Sequence, residues 1–144
     1  MKRLILCALI LGIGAGAVYA EGDVIAQRRA LMKANGDAAK IAFGMLKDAP
    51  FDLAAGQAAL KTFADAAGKM PALFPDTSKT GGDTAALPAI WENKADFTAR
   101  FDKFGKDAAA ALAGITDEAS YKAKMPDVFK NCGGCHELYR LKKG

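Results

Sequence analysis

The chain of 144 residues contains a single histidine, His136, and only three cysteines. A structural zinc site normally takes four Cys or His ligands, and the sequence beyond its N-terminal segment cannot supply them. No stretch has the alternating pattern of a β-strand, so a thioredoxin-like protein built on a βαβ unit is not indicated. The 20 basic and 16 acidic residues are nearly balanced and give no support for nucleic-acid binding.

Beyond the N-terminus, the sequence also lacks any apolar run long enough to span a membrane. Residues 1–20 begin with Lys2 and Arg3, continue through an apolar stretch at 4–18 and end in small residues at Ala20. This is the pattern of a secretory signal peptide, and its apolar part is too short for a comfortable membrane span. We expect cleavage after Ala20, loss of Cys7 with this segment, and a mature domain of residues 21–144 with no membrane span.

The most specific motif is Cys132-Gly133-Gly134-Cys135-His136, close to the C-terminus. Two thiols three residues apart, followed directly by a histidine, form the attachment pattern of a c-type haem. Cys132 and Cys135 would each form a thioether to a haem vinyl group, and His136 would bind the iron. A plain disulfide between the two thiols would leave His136 unexplained. We therefore predict one covalently attached haem c, and periplasmic localisation, because bacteria attach this haem after export.

Apolar residues recur at steps of three and four along four segments, which predicts four helices. They cover residues 23–46, 52–70, 88–112 and a stretch that begins at Thr116 or Asp117, with a surface loop at 74–87. Pro126 should kink the last helix or break it early. Short links favour antiparallel neighbours, so we predict an all-α, up-down-up-down antiparallel four-helix bundle, whose core also suits a haem. Phe97, Phe101 and Phe104 are expected in that core.

The order of these parts resembles the class II c-type cytochromes, which comprise the cytochromes c' and the low-spin cytochromes c-556. The resemblance rests on the C-terminal haem motif, on Arg28-Arg29-Ala30-Leu31-Met32-Lys33 in the first helix, and on Pro88-Ala89-Ile90-Trp91 at the start of the third. In the cytochromes c' an apolar residue one turn after the arginine leaves the iron five-coordinate. In the c-556 type a methionine at that place ligates the iron. The resemblance therefore implies Met32 as the second axial ligand.

The family positions also have simpler explanations. Met32 is otherwise a gap-filling core methionine, the usual role of that residue when buried. Arg28 is either solvated or paired with a haem propionate, whose carboxylate suits the guanidinium fork. Trp91 is most simply a core residue, although the resemblance implies a place near the haem edge. Arg140 lies near His136 by resemblance, or it complements the negative end of the last helix.

The resemblance thus implies His136 and Met32 on the two faces of the haem, an iron with no open position, and an electron carrier rather than an enzyme. Methionine opposite histidine raises the reduction potential. The alternative is a five-coordinate protein that binds nitric oxide or carbon monoxide, and a peroxidase fits less well because no second histidine exists to act as a distal base. Partners would be redox proteins of unassigned identity, and the sequence is compatible with a monomer or a homodimer.

Overall fold

Five α-helices run through residues 21–142, the part of the chain that the computed structural model describes. The four long ones are α1 (Glu21–Lys47), α2 (Leu53–Lys69), α4 (Lys94–Gly114) and α5 (Glu118–Tyr139), and α3 (Ala89–Glu92) is a single turn. These residues contain no β-strand, only one isolated antiparallel bridge between Ala86 and Arg140. The predicted all-α, up-down-up-down four-helix bundle is confirmed. The predicted signal peptide lies outside the described residues.

Side-chain caps begin two of the long helices where the sequence predicts. Asp52 accepts a hydrogen bond from the Ala55 backbone N–H at 3.0 Å at the start of α2. At the start of α5, Asp117 accepts from the Ser120 N–H, and the Ser120 hydroxyl accepts in return from the Asp117 N–H. Such reciprocal pairing satisfies N–H groups that have no partner inside the helix.

One of the predicted helices is wrong. The expected helix 88–112 is interrupted at Asn93, whose backbone leaves helical geometry (φ −124°, ψ 46°), so that the one-turn α3 is separate from α4. The break lies between two buried residues, Ile90 and Phe97. Of the two outcomes expected at Pro126, a kink or an early break, the break does not occur, because α5 continues to Tyr139. Burial of neighbouring residues on both sides of this proline outweighs its missing N–H.

The predicted loop 74–87 is partly ordered by short helical turns and by pairing with α5. A 3₁₀ turn, Met70–Leu73, follows α2 directly, and another covers Asp76–Ser78. Further along, the Leu87 N–H donates to Tyr139 O at 3.0 Å and the Leu141 N–H donates to Ala85 O at 2.8 Å. The loop therefore crosses the C-terminal end of α5 and is attached to it by backbone hydrogen bonds.

The bundle is closed at one end and open at the other. At the closed end, the Tyr121 hydroxyl donates to Ala42 O at 2.6 Å, and the rings of Phe43 and Phe129 meet edge to face. These contacts join α5 to α1. Because α1 and α5 run antiparallel, the N-terminal half of α1 faces the C-terminal half of α5 at the other end. A cavity separates the two helices there. The fold thus brings the segment 28–32 of α1 and the haem motif 132–136 of α5 to the same end of the bundle.

Candidate haem-binding site

A cavity of about 370 Å³ lies between α1 and α5, within the range of ordinary ligand sites. Its wall is mostly apolar and aromatic, with buried phenylalanines from three parts of the chain. Polar groups lie on the walls formed by α1, α4 and α5 and at the loop. The apolar wall is formed by Met32, Ala39, Phe63, Met70, Phe74, Ile90, Phe97, Phe101 and Phe104. The predicted core phenylalanines are indeed buried, and they also line this cavity.

The haem motif forms part of the α5 wall. Cys132, Cys135 and His136 all line the cavity, because positions three and four apart share one face of a helix. Both cysteines are half-buried, and no disulfide joins them to each other. Burial raises the pKa of each thiol, which keeps both in the neutral form. They are thus not activated as thiolates, in contrast to reactive redox cysteines.

His136 is electrostatically suited to be a metal ligand. Burial lowers its pKa, and the positive charge of Arg140 lowers it further. The imidazole is therefore neutral near pH 7, which is the form that binds a metal ion.

The cluster does not fit a site made by protein ligands alone. Within residues 21–142, no group of three or more His, Cys, Asp or Glu side chains is arranged to hold a metal ion. A zinc site is therefore not supported, whereas an apolar cavity with two thiols and one neutral imidazole on a single wall fits a haem. The donors and the shape of the site agree with the motif.

Two of the four methionines beyond the predicted signal peptide face this cavity. Met32 lies on the α1 wall, across the cavity from the α5 motif, and is half-buried. Met70 follows α2 and is fully buried. Met45 accepts a hydrogen bond from the Asp52 N–H and Met125 is buried in α5, and neither lines the cavity. The structure therefore restricts a methionine ligand to Met32 or Met70.

Arg28 is buried rather than solvated, with 4% of its surface exposed. Its Nη1 donates to Ser78 Oγ at 3.0 Å and Leu73 O at 3.3 Å, and its Nη2 donates to Thr84 Oγ1 at 2.7 Å and Ser78 O at 3.2 Å. The guanidinium also lies 4.7 Å from the centre of the Phe74 ring. Burial lowers the pKa of Arg28. In this arrangement Arg28 anchors the loop that borders the cavity.

Trp91 and Arg140 occupy different positions relative to the cavity. Trp91 is outside the cavity wall, where it meets the Phe74 ring edge to face and donates from its indole N–H to Pro75 O at 3.1 Å. Trp91 is partly buried and packs against the hydrophobic core. Arg140 lines the cavity beside His136, at the exposed end of α5. Its backbone N–H donates to His136 O at 3.2 Å.

Sequence reasoning missed Arg100 as a neighbour of the motif. Its Nε donates to Asp96 at 2.6 Å, and its Nη1 donates to the carbonyl of Gly134, inside the haem motif, at 3.4 Å. Tyr139 also donates its hydroxyl to Asp96, so α4 and the end of α5 share one polar cluster. The spacing of Asp96 and Arg100 indicates a helical ion pair, but no sequence signal connects that pair to the motif.

None of the helices within residues 21–142 is both long enough and apolar enough to cross a membrane.

Comparison with known proteins points to one family. The profile of the Cytochrome C' family matches residues 23–140. A cytochrome c' of Rhodopseudomonas palustris is 49% identical over 142 residues, which cover 98% of this chain and 97% of the relative. A cytochrome c-556 of Agrobacterium fabrum is 41% identical over 143 residues, with 98% and 97% coverage.

A solved structure agrees with this assignment. The solved structure of a cytochrome c' from Rhodopseudomonas palustris superposes with a TM-score of 0.82 at 53% identity, over 85% of this chain and 98% of the other. The chain therefore belongs to the cytochrome c' family, and its cofactor is covalently attached haem c, as its sequence predicts.

Proposed function

We propose that this protein carries single electrons in the periplasm, with Cys132 and Cys135 holding the haem and His136 and Met32 as the two axial ligands of its iron. The family as a whole consists of haem c proteins that carry electrons or bind gases. The observation that supports the finer proposal is the placement of Met32 and His136 on facing walls of one cavity. With one ligand on each wall, the metal can be bound from two opposite sides.

The haem supplies the one-electron couple, and the residues of the chain keep its surroundings constant. The aromatic wall excludes water, and the thioether of Met32 is a weak donor that favours the reduced state. The neutral imidazole of His136 needs no proton exchange when it binds the metal. A bundle closed at the far end by Tyr121 has little need to rearrange when the charge at the iron changes.

Arg28 and Arg140 are proposed to act on the haem carboxylates from different positions. Arg140 lines the cavity at the exposed end of α5, where a propionate would reach solvent. Both terminal nitrogens of Arg28 already donate to acceptors of the chain, which leaves Nε for a propionate. Trp91 is proposed to influence the haem edge through Phe74, the ring that it contacts.

Gas binding by a five-coordinate iron is the second candidate. It is favoured by the 49% identity to a protein named cytochrome c', which exceeds the 41% identity to a cytochrome c-556. In that case Met32 fills space in the wall without reaching the iron. The two candidates differ in one property, the ligand on the α1 side.

Visible spectra of the purified holoprotein and of two methionine variants test this proposal. The wild type is expected to be low-spin, with the weak far-red ferric band of methionine ligation and slow uptake of carbon monoxide. Met32→Ala should become high-spin with haem still attached, while Met70→Leu should keep the wild-type spectrum. A wild type that is high-spin and binds carbon monoxide at once would establish gas binding instead. A low-spin methionine spectrum retained in Met32→Ala would remove Met32 as the ligand.

A further inference from the structure

Asn35 has a buried amide oxygen without a hydrogen-bond partner. Its Oδ1 is sealed from solvent and receives no hydrogen bond, although the side chain lies on the cavity wall. A buried polar atom left in this way costs about 1–3 kcal/mol, and such atoms are few in native proteins. An apolar residue at this position of α1 would avoid that cost, so the amide calls for a functional explanation.

Other polar side chains of the cavity wall are already engaged elsewhere. The terminal nitrogens of Arg28 donate to the loop, where Thr84 is one of the acceptors. Arg100 donates to the Asp96 carboxylate and to the α5 backbone. Asn131, the second asparagine of this wall, donates to the Asp107 carboxylate at 2.8 Å and to backbone carbonyls of α5. None of these groups donates a hydrogen bond to Asn35.

Met32 is the functional side chain nearest to Asn35 along α1. The two residues are three positions apart on one helix and line the same cavity. Side chains at this spacing are neighbours, with about 5–6 Å between their Cβ atoms. A helical side chain leans towards the N-terminus of its helix, so the Asn35 amide leans over the turn that carries Met32. An amide carries both a donor and an acceptor. A half-turn about its last bond would bring the Asn35 N–H to the buried position that Oδ1 occupies.

We propose that Asn35 is a positioning residue for Met32, donating an amide N–H to the sulfur lone pair that does not face the iron. This inference rests on the proposed function, in which Met32 is an axial ligand. Methionine sulfur is a weak acceptor, and groups that hydrogen-bond a metal ligand commonly fix its orientation. The hydrogen bond would hold the sulfur in one configuration and make Met32 harder to displace by an external ligand.

Displacement of Met32 by imidazole in the ferric holoprotein tests this role. Asn35→Leu removes the donor, and imidazole should then bind on the order of fivefold more tightly, which corresponds to the loss of one ordinary hydrogen bond. Asn35→Gln keeps an amide and should restore part of the wild-type resistance. The matched control is Asn131→Leu, which changes the same residue type in the lining of the same cavity. The Asn131 amide is paired with Asp107, so this variant should bind imidazole within about twofold of the wild-type affinity. Thermal midpoints of all variants exclude a general loss of folding.

The possible outcomes separate this inference from the proposed function. An Asn35→Leu affinity equal to wild type, or equal shifts in both leucine variants, would overturn the role of Asn35 while Met32 remains the ligand. Weaker imidazole binding by Asn35→Leu would overturn it too, because the amide would then be bonding the incoming ligand. A high-spin ferric wild type would remove Met32 ligation and, with it, the role of Asn35.

Discussion

Arg28 anchors the loop at the edge of the cavity, and its replacement by leucine should destabilise the holoprotein. The guanidinium donates four hydrogen bonds to acceptors that lie 45 to 56 residues away in sequence, and one of these residues, Ser78, is fully buried. Hydrogen bonds from a charged group contribute about 1.5–3 kcal/mol each. Arg28→Leu relieves the cost of burying a charge, which offsets part of the loss. We expect a net loss of roughly 2–4 kcal/mol in the free energy of unfolding.

Thermal unfolding monitored by circular dichroism measures this loss. For a domain of this size, 1 kcal/mol lowers Tm by about 4 °C, so Arg28→Leu should unfold roughly 8–16 °C below wild type. The matched control is Arg29→Leu on the next residue. Arg29 pairs with Asp83, but their side chains are 55% and 85% exposed, and such surface pairs contribute at most about 1 kcal/mol. Equal melting temperatures for the two arginine variants would refute this explanation of Arg28.

A double-mutant cycle separates the loop from the haem as the main partner of Arg28. Ser78→Ala removes one acceptor and leaves the arginine in place. If the loop is the principal partner, the double variant Arg28→Leu/Ser78→Ala should be less destabilised than the two single effects added together, because both changes break the same contact. Strict additivity would instead indicate that Arg28 acts mainly on a haem propionate. The same melts therefore decide between the two roles.

Three further predictions concern the bundle and the haem attachment. Gly56→Ala should lower the free energy of unfolding by about 1–2 kcal/mol, since a Cβ there would lie 2.9 Å from the buried Tyr121 ring. Its control is Gly68→Ala on the same helix, where a Cβ meets nothing within 4 Å and should stabilise the protein by about 0.5–1 kcal/mol. Denaturant melts measure both effects. Burial raises the pKa of Tyr121 from 10.0 to about 12, so between these pH values the folded state keeps a proton that the unfolded chain loses. The stabilisation by the neutral Tyr121 is therefore present below pH 10 and declines from pH 10 to pH 12. Melts of Tyr121→Phe should lack this decline. Cys132→Ala should retain a single thioether through Cys135 with a lower folded yield, detected by the haem spectrum in alkaline pyridine and by mass spectrometry; haem freely extracted by acidified solvent would contradict it.

The features that were predictable from sequence are those carried by local spacing. The haem motif is a five-residue string, and its position on one helical face follows from the helix repeat alone. The caps at Asp52 and Asp117 are likewise local, because each side chain reaches an N–H only three residues ahead. The same spacing rules placed Met32 on an inner face of α1, where the structure has it.

The features that sequence could not provide depend on contacts between distant parts of the chain. A periodic apolar pattern continues through Asn93, so nothing in it indicates that α3 and α4 separate there. Pro126 is a local signal for a kink or a break in the helix. The helix α5 nevertheless continues past it, because Met125 and Val128 on its two sides are buried. The loop 74–87 has the composition of a surface loop, but it crosses α5 and supplies acceptors to a buried arginine. Only the packed fold reveals that role.

In the proposed function, one residue of α1, Met32, decides whether the iron is ligated on that side. The closed end of the bundle, where Tyr121 bonds to Ala42 O, is separate from the cavity wall that carries Met32. Met32 is only half-buried, so its replacement removes little of the packing that holds the four helices together. We therefore expect a substitution of Met32 to leave the four-helix bundle intact, whichever ligand the iron has. Family membership therefore fixes the haem and its attachment, whereas in our proposal the choice between electron transfer and gas binding rests on whether Met32 ligates the iron.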